Sequence, residues 1–278
     1  MVYITGDTHG HFERIFNLCE KMDLTNNDTM IILGDVGLNF FLNKSDRNKK
    51  KNLSLLPINF FCIHGNHEVR PQNIEDYIED KYWGGKVLIQ PEFPNIKFAI
   101  DGEIYDIPTS KGIKKSIVIG GAYSVDKYYR LYSFMMNHTW EGDTELVEKL
   151  VAFMSKWNTD ESYKELFDKT YKEKNLYDKC YWWPDEQPNQ SIKDKTEKTL
   201  SNRNWNIDLI LTHTCPLKYE PIEVFLSGIN QNTVDKSTEI WLDQIENKLN
   251  YEKWYCGHYH TSKKIDKIQF MFEDFDIL

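Results

Sequence analysis

Five short motifs in this 278-residue chain bring together two Asp, one Asn and five of its eight His, side chains that can bind a metal ion or move a proton. They are Gly6-Asp7-Thr8-His9-Gly10, Gly34-Asp35-Val36-Gly37, Gly65-Asn66-His67-Glu68, Thr212-His213 and Gly257-His258-Tyr259-His260. Asp7 and His9 stand two apart after an apolar run. Alternate residues of a locally extended chain project the same way, so an oxygen and a nitrogen ligand can meet one cation. Asp35 carries two oxygens and can bridge two cations. Asn66 offers a neutral carbonyl oxygen and His213 an imidazole. His258 and His260, again two apart, offer one ring to each metal. Imidazole with carboxylate suits zinc, manganese, iron or nickel better than calcium. His67 differs. Its neighbour Asn66 takes the ligand position and adjacent side chains diverge, so His67 is left to face a substrate and donate a proton.

Each motif is weak alone, since an Asp after a strand commonly caps the next helix. Their conjunction, in order and each after a short apolar run, points to one face of a sheet equipped as a two-metal hydrolytic site.

The elements that must position these residues are short and rich in β-branched or aromatic residues. Strands are expected at Val2–Ile4, Met30–Leu33, Phe60–Ile63, Ile117–Ile119, Leu209–Leu211 and Trp254–Cys256. Phe12, Ile15, Phe16, Cys19 and Met22 recur at helical spacing, as do Ile240, Trp241, Ile245 and Leu249 within 238–249. Residues 48–56 read as a further helix stopped by Pro57. Near-continuous apolar strands alternating with helices predict a covered sheet. Residues 86–107 and 265–278 read as additional strands, the former as antiparallel hairpins, so the fold class is mixed α/β. Residues 123–206 are the least sheet-like and are expected to form a helical insertion, or cap, within a single domain spanning 1–278. Helical patterns cover 144–157 and 161–171 there, ahead of Tyr181-Trp182-Trp183-Pro184.

Net charge is −9 with a pI near 5.4, which argues against a protein that grips long nucleic acid through its phosphates. No apolar run reaches membrane-spanning length. The five cysteines form no Cys-x-x-Cys pair, and with no signal-peptide pattern at the start a reducing cytoplasm is the expected setting.

The order Asp-x-His, Gly-Asp, Gly-Asn-His-Glu, a lone His and Gly-His-x-His resembles the calcineurin-like metallophosphoesterase superfamily, from Asp7 to His260. More narrowly, Gly120-Gly121-Ala122-Tyr123-Ser124, Trp182-Trp183 and Glu273-Asp274 are similar to elements of a bacterial and phage subgroup. The resemblance implies a four-layer α/β/β/α sandwich of two mixed sheets. It implies Asp7, His9, Asp35 and His260 on one divalent metal ion and Asp35, Asn66, His213 and His258 on a second. It implies His67 as the group that contacts the phosphate and protonates the leaving oxygen. Many members carry an Asp three residues after the bridging one, which orients that histidine. Here the position is Leu38, so another partner for His67 is needed, with Asp126 and Glu68 the candidates.

The expected chemistry is hydrolysis of a small phosphoester, a nucleotide or other small diester first. A phosphomonoesterase or a non-catalytic metal-bound scaffold are the alternatives. Arg130 is a candidate phosphate clamp, or a cap salt bridge, and Tyr128 a candidate substrate contact. Trp182 and Trp183 read as packing residues before stacking ones. His11, His64 and His138 read as structural or surface residues.

Overall fold

The computed structural model describes residues 1–138, 144–156 and 161–278. Its strands are β1 Val2–Thr5, β2 Thr29–Ile32, β3 Asn59–Cys62, β4 Ile78–Tyr82, β5 Gly85–Ile89, β6 Ile96–Ala99, β7 Ile104–Thr109, β8 Gly112–Ile119, β9 Leu209–Thr212, β10 Lys253–Cys256, β11 Lys263–Ile265, β12 Ile268–Phe270 and β13 Asp276–Ile277. The helices are α1 Glu13–Lys21, α2 Lys44–Ser54, α3 Lys127–Asn137, α4 Thr144–Lys156, α5 Glu161–Glu173, α6 Tyr177–Cys180, α7 Gln190–Ser201 and α8 Ser237–Glu246. Trp157, at the end of one expected helix, lies outside the described residues.

Two mixed sheets result, ordered β13-β1-β2-β3-β6-β5-β4 and β11-β12-β10-β9-β8-β7. Side chains alternate across each strand, and both faces of the central strands are apolar, so each sheet is covered twice. Val2, Ile4, Ile31, Phe61 and Ile63 face Tyr105, Val118, Leu211 and Tyr255 of the other sheet. Tyr3, Met30, Ile32 and Phe60 turn outward onto Ile15 and Cys19 of α1 and Leu53 of α2. Ile117, Ile210, Trp254 and Phe270 turn outward onto Leu200 of α7 and Trp241, Leu242 and Ile245 of α8. Helix, sheet, sheet, helix is thus the layer order, as expected. Each fully buried Ile, Leu or Phe contributes about 1.5–3 kcal/mol.

The cap has a core of its own. Tyr128, Leu131 and Met135 of α3 pack with Leu150 and Phe153 of α4, Phe167 and Tyr171 of α5, and Trp182. Helix α3 escaped the sequence reading although these residues fall at helical spacing. Residues 86–107 are only partly the expected hairpins. β5 and β6 pair antiparallel, but the chain then turns at Asp101-Gly102 and β7 joins the other sheet beside β8. Helix α2 begins at Lys44, ahead of expectation, because the Asn43 side chain caps it by accepting from the Ser45 N–H.

Candidate active site

The five motifs lie just past the C-terminal ends of β1, β2, β3, β9 and β10, which are linked by parallel pairings within their sheets. Carboxyl ends of parallel strands are where open α/β sheets place ligands. Motif loops are strapped together by backbone bonds. The His9 N–H donates to the Asp35 carbonyl (2.7 Å), and the Gly257 N–H to the His213 carbonyl (2.9 Å).

The chain comes so close at the candidate ligands that glycines there have no room for a side chain. A Cβ on Gly65 would stand 2.0 Å from Asp35 Oδ1, and one on Gly257 2.3 Å from Asp7 Oδ1. Four non-glycine residues there adopt left-handed backbone: His9 (φ 47°), Asp35 (φ 44°), His258 (φ 67°) and His260 (φ 47°). Such conformations cost on the order of 1–3 kcal/mol each and cluster where function demands them.

Two sets of donor atoms converge. In the first, Asp7 Oδ2 is 3.3 Å from His260 Nε2 and 4.0 Å from His9 Nε2, and the two imidazole nitrogens are 3.0 Å apart. In the second, Asn66 Oδ1 is 2.8 Å from His213 Nε2 and 3.1 Å from His258 Nδ1. Asp35 stands between them, Oδ2 3.9 Å from His9 Nε2 and Oδ1 3.6 Å from His213 Nε2. All seven residues expected as ligands are therefore brought together.

The atoms around them aim the lone pairs inward. His213 Nδ1 lies 2.8 Å from the Leu33 carbonyl, which can only accept, so the ring proton sits on Nδ1 and the Nε2 lone pair faces Asn66 Oδ1. Asn66 donates its amide N–H to Ser124 Oγ (2.8 Å), which turns Oδ1 toward the same point. Two acceptors brought this close repel each other unless a proton or a cation lies against both. Asp7 Oδ2 is buried and has no hydrogen-bond partner. These features fit a divalent metal centre. Burial alone would raise the Asp35 carboxyl, but His67, His213 and His9 outweigh it and hold it ionised well below the usual range. Burial pushes His258 down to about 3, which keeps the ring neutral.

The model of the calcineurin-like phosphoesterase family matches residues 1–276. The chain belongs to that family. Its members are metal-dependent phosphoester hydrolases, and the clustered carboxylates and imidazoles of this phosphoesterase are candidate metal ligands. No curated protein and no solved structure is a significant match to the phosphoesterase. None of its described helices is long and apolar enough to cross a membrane.

The partner of His67 in this phosphoesterase is neither of the expected carboxylates. Arg130 Nη2 donates to His67 Nδ1 at 2.5 Å. Asp126 acts one step back, accepting from Arg130 Nε (2.8 Å), and the Tyr181 carbonyl accepts from Nη1. Glu68 turns away to accept from the backbone N–H groups of Gly65 (3.2 Å) and Val36 (3.4 Å). Leu38 is wholly buried in the outer core. Arg130 therefore makes the cap salt bridge and reaches the site as well.

Tyr128 lies away from the candidate ligands, on the wall of an adjoining chamber. Its ring packs on Phe153 and Phe167 in the cap core, and its hydroxyl donates to Asp168 Oδ1 at 3.3 Å. It does not line the chamber that contains the candidate ligands. Trp182 and Trp183 are buried, Trp182 against Tyr171 and Trp183 donating to Asp178.

The sequence reading missed Ser124, which orients Asn66, and the segment 220–234, which forms a wall of the chamber. It also missed Glu239 of α8, a buried residue with Oε1 accepting from Thr214 Oγ1 (2.7 Å) and Oε2 unpaired. Burial pushes the Glu239 carboxyl up to about 7. Its folded pKa exceeds the unfolded value, so the stability carried by the neutral form is complete near pH 4 and is lost as pH rises through 7. Metal-free protein should lose up to about 3 kcal/mol between pH 4.5 and 7.5 from this group. Glu239→Gln should flatten that fall in urea titrations, and an unchanged pH slope would refute the assignment.

Proposed function

We propose that this chain hydrolyses a small phosphodiester at a dinuclear metal site, a nucleotide or other small diester being the first substrate class. The convergence of two donor sets on a shared Asp35 carries the reading. Asp7, His9, Asp35 and His260 would hold one cation, and Asp35, Asn66, His213 and His258 the other, with manganese, iron, nickel and zinc all suited to the donors. When bound, such ions supply charge neutralisation for phosphoryl oxygens and acidify water.

The chain's own groups do the rest. His67 faces the chamber and donates a proton to the leaving oxygen. Arg130, held by Asp126 and the Tyr181 carbonyl, positions His67 by donating to its Nδ1. The cap walls the chamber and limits water. Arg130→Gln should lower kcat/KM about ten- to hundredfold, the range for a lost hydrogen bond to a charged group, with bound metal unchanged. Steady-state kinetics with metal analysis checks this, and wild-type kcat/KM would overturn the role.

The direct test of the whole reading is turnover of 4-nitrophenyl mono- and diesters by protein loaded with manganese or nickel. Faster diester hydrolysis is expected. Metal binding without hydrolysis of either would favour a non-catalytic scaffold.

A further inference from the structure

The chamber that contains Asp35, Asn66, His67, His258 and His260 has a volume of about 390 Å³. Past this polar floor its walls are Tyr123, Val125, Phe225, Leu226, Ile229 and Val234. A second chamber of about 170 Å³ adjoins it, sharing Leu226 and Ile229 and closed by Phe153 and Met154 of α4. Apolar side chains remain uncovered around the opening, with Leu226 65% and Tyr129 56% exposed.

Charge on these walls is of one sign. Among the described residues, neither chamber is lined by Lys or Arg, while Asp126, Glu220 and Glu239 contribute carboxyl groups. Two of these are committed to their own cations, Asp126 to Arg130 (2.8 Å) and Glu220 to Lys236 (2.7 Å). A second phosphate or a carboxylate entering here would give up water with no counter-ion to replace it. A hydrocarbon group would gain by covering the exposed apolar rim.

Building on the hydrolase reading above, we propose that the organic group of the substrate is uncharged and mainly apolar, an aryl ring or an alkyl chain of several carbons. It runs from the phosphate past Tyr123 into the space between Leu226 and Phe153. The same walls disfavour nucleoside polyphosphates, sugar phosphates and phosphopeptides, and within the small diesters they place aryl and alkyl esters ahead of nucleotides.

The test uses n-alkylphosphonates from methyl to octyl, whose C–P bond is not hydrolysed, as inhibitors of bis(4-nitrophenyl) phosphate turnover by the manganese-loaded enzyme. Inhibition constants should fall with each added methylene over the first several carbons, by up to about fourfold, equivalent to about 0.8 kcal/mol per buried CH₂. Leu226→Asp and Ile229→Asp should collapse the octyl-to-methyl ratio toward one, and Leu226→Met should preserve it. A flat series in an enzyme that turns over the diester overturns the apolar subsite and leaves the hydrolase reading standing. Absence of turnover overturns the diesterase reading, and the same phosphonate series read by calorimetry then decides the subsite by its own slope.

Discussion

Asp35→Asn should strip metal from the protein and lower kcat/KM about a thousandfold or more, the scale of losing several kcal/mol of metal-derived charge stabilisation. Among the described residues, Asp35 is the one whose two oxygens face both donor sets, Oδ1 toward His213 and Oδ2 toward His9. An amide in its place offers one neutral oxygen and one N–H, which would point at a cation. In the metal-free protein His67, His213 and His9 hold the buried Asp35 carboxylate ionised against the cost of its burial, so the ionised form supports the fold at neutral pH. Metal-free Asp35→Asn should therefore melt below the wild-type temperature, and the rise in Tm on adding manganese should vanish. Metal analysis and paired melting curves measure both. A variant that keeps two equivalents of metal would remove Asp35 from the bridging position.

His67→Ala should leave metal content intact and lower kcat by about 10²- to 10⁴-fold on alkyl diesters, the usual scale of general acid catalysis. On 4-nitrophenyl esters the loss should be small, because that leaving group departs without a proton. The pH profile gives a second readout. Burial lowers the His67 pKa below its ordinary value, and the Arg130 charge adds to this against the pull of Asp35. The acid is active when protonated, so wild-type turnover of alkyl esters should decline as pH rises through that lowered value. His67→Ala should lack the decline. Equal losses on good and poor leaving groups would instead make His67 a phosphate-binding residue.

Sequence alone located the cluster of candidate ligands because strand ends are simple objects. A short apolar run must be a buried strand, and the residue after it must leave the sheet edge at a fixed place. Asp7, Asp35, Asn66, His213 and His258 follow this rule, which is why they meet. The partner of His67 was not legible. Leu38 shows only that a carboxylate is missing, and Arg130 is supplied by a helix of the cap whose approach depends on packing around Phe40 and Tyr181, which stack with ring centroids 5.0 Å apart. Nor was the Leu33 carbonyl that sets the His213 tautomer, since every residue has a carbonyl. The apolar wall at 220–234 carries no regular period, and a loop with scattered Val, Phe, Leu and Ile reads as featureless until the chamber it closes is visible.

Strands β8 and β9 are parallel neighbours, with Ile119 beside Thr212, and everything in the cap lies between them in sequence. One helix suffices for such a crossover, and α7, packed through Leu200 on the outer face of the sheet, already serves as one. The other cap helices are extra length in a loop whose ends are fixed, and lengthening such a loop costs only about 0.6 kcal/mol per doubling. The fold can thus exchange this module for a larger or smaller one without disturbing the strand ends that carry the ligands. Arg130, which positions His67, and Ser124, which orients Asn66, would leave with it. The chamber walls are shared between this module and the loop at 220–234, so substrate choice can change on either stretch while the strand ends keep the candidate ligands.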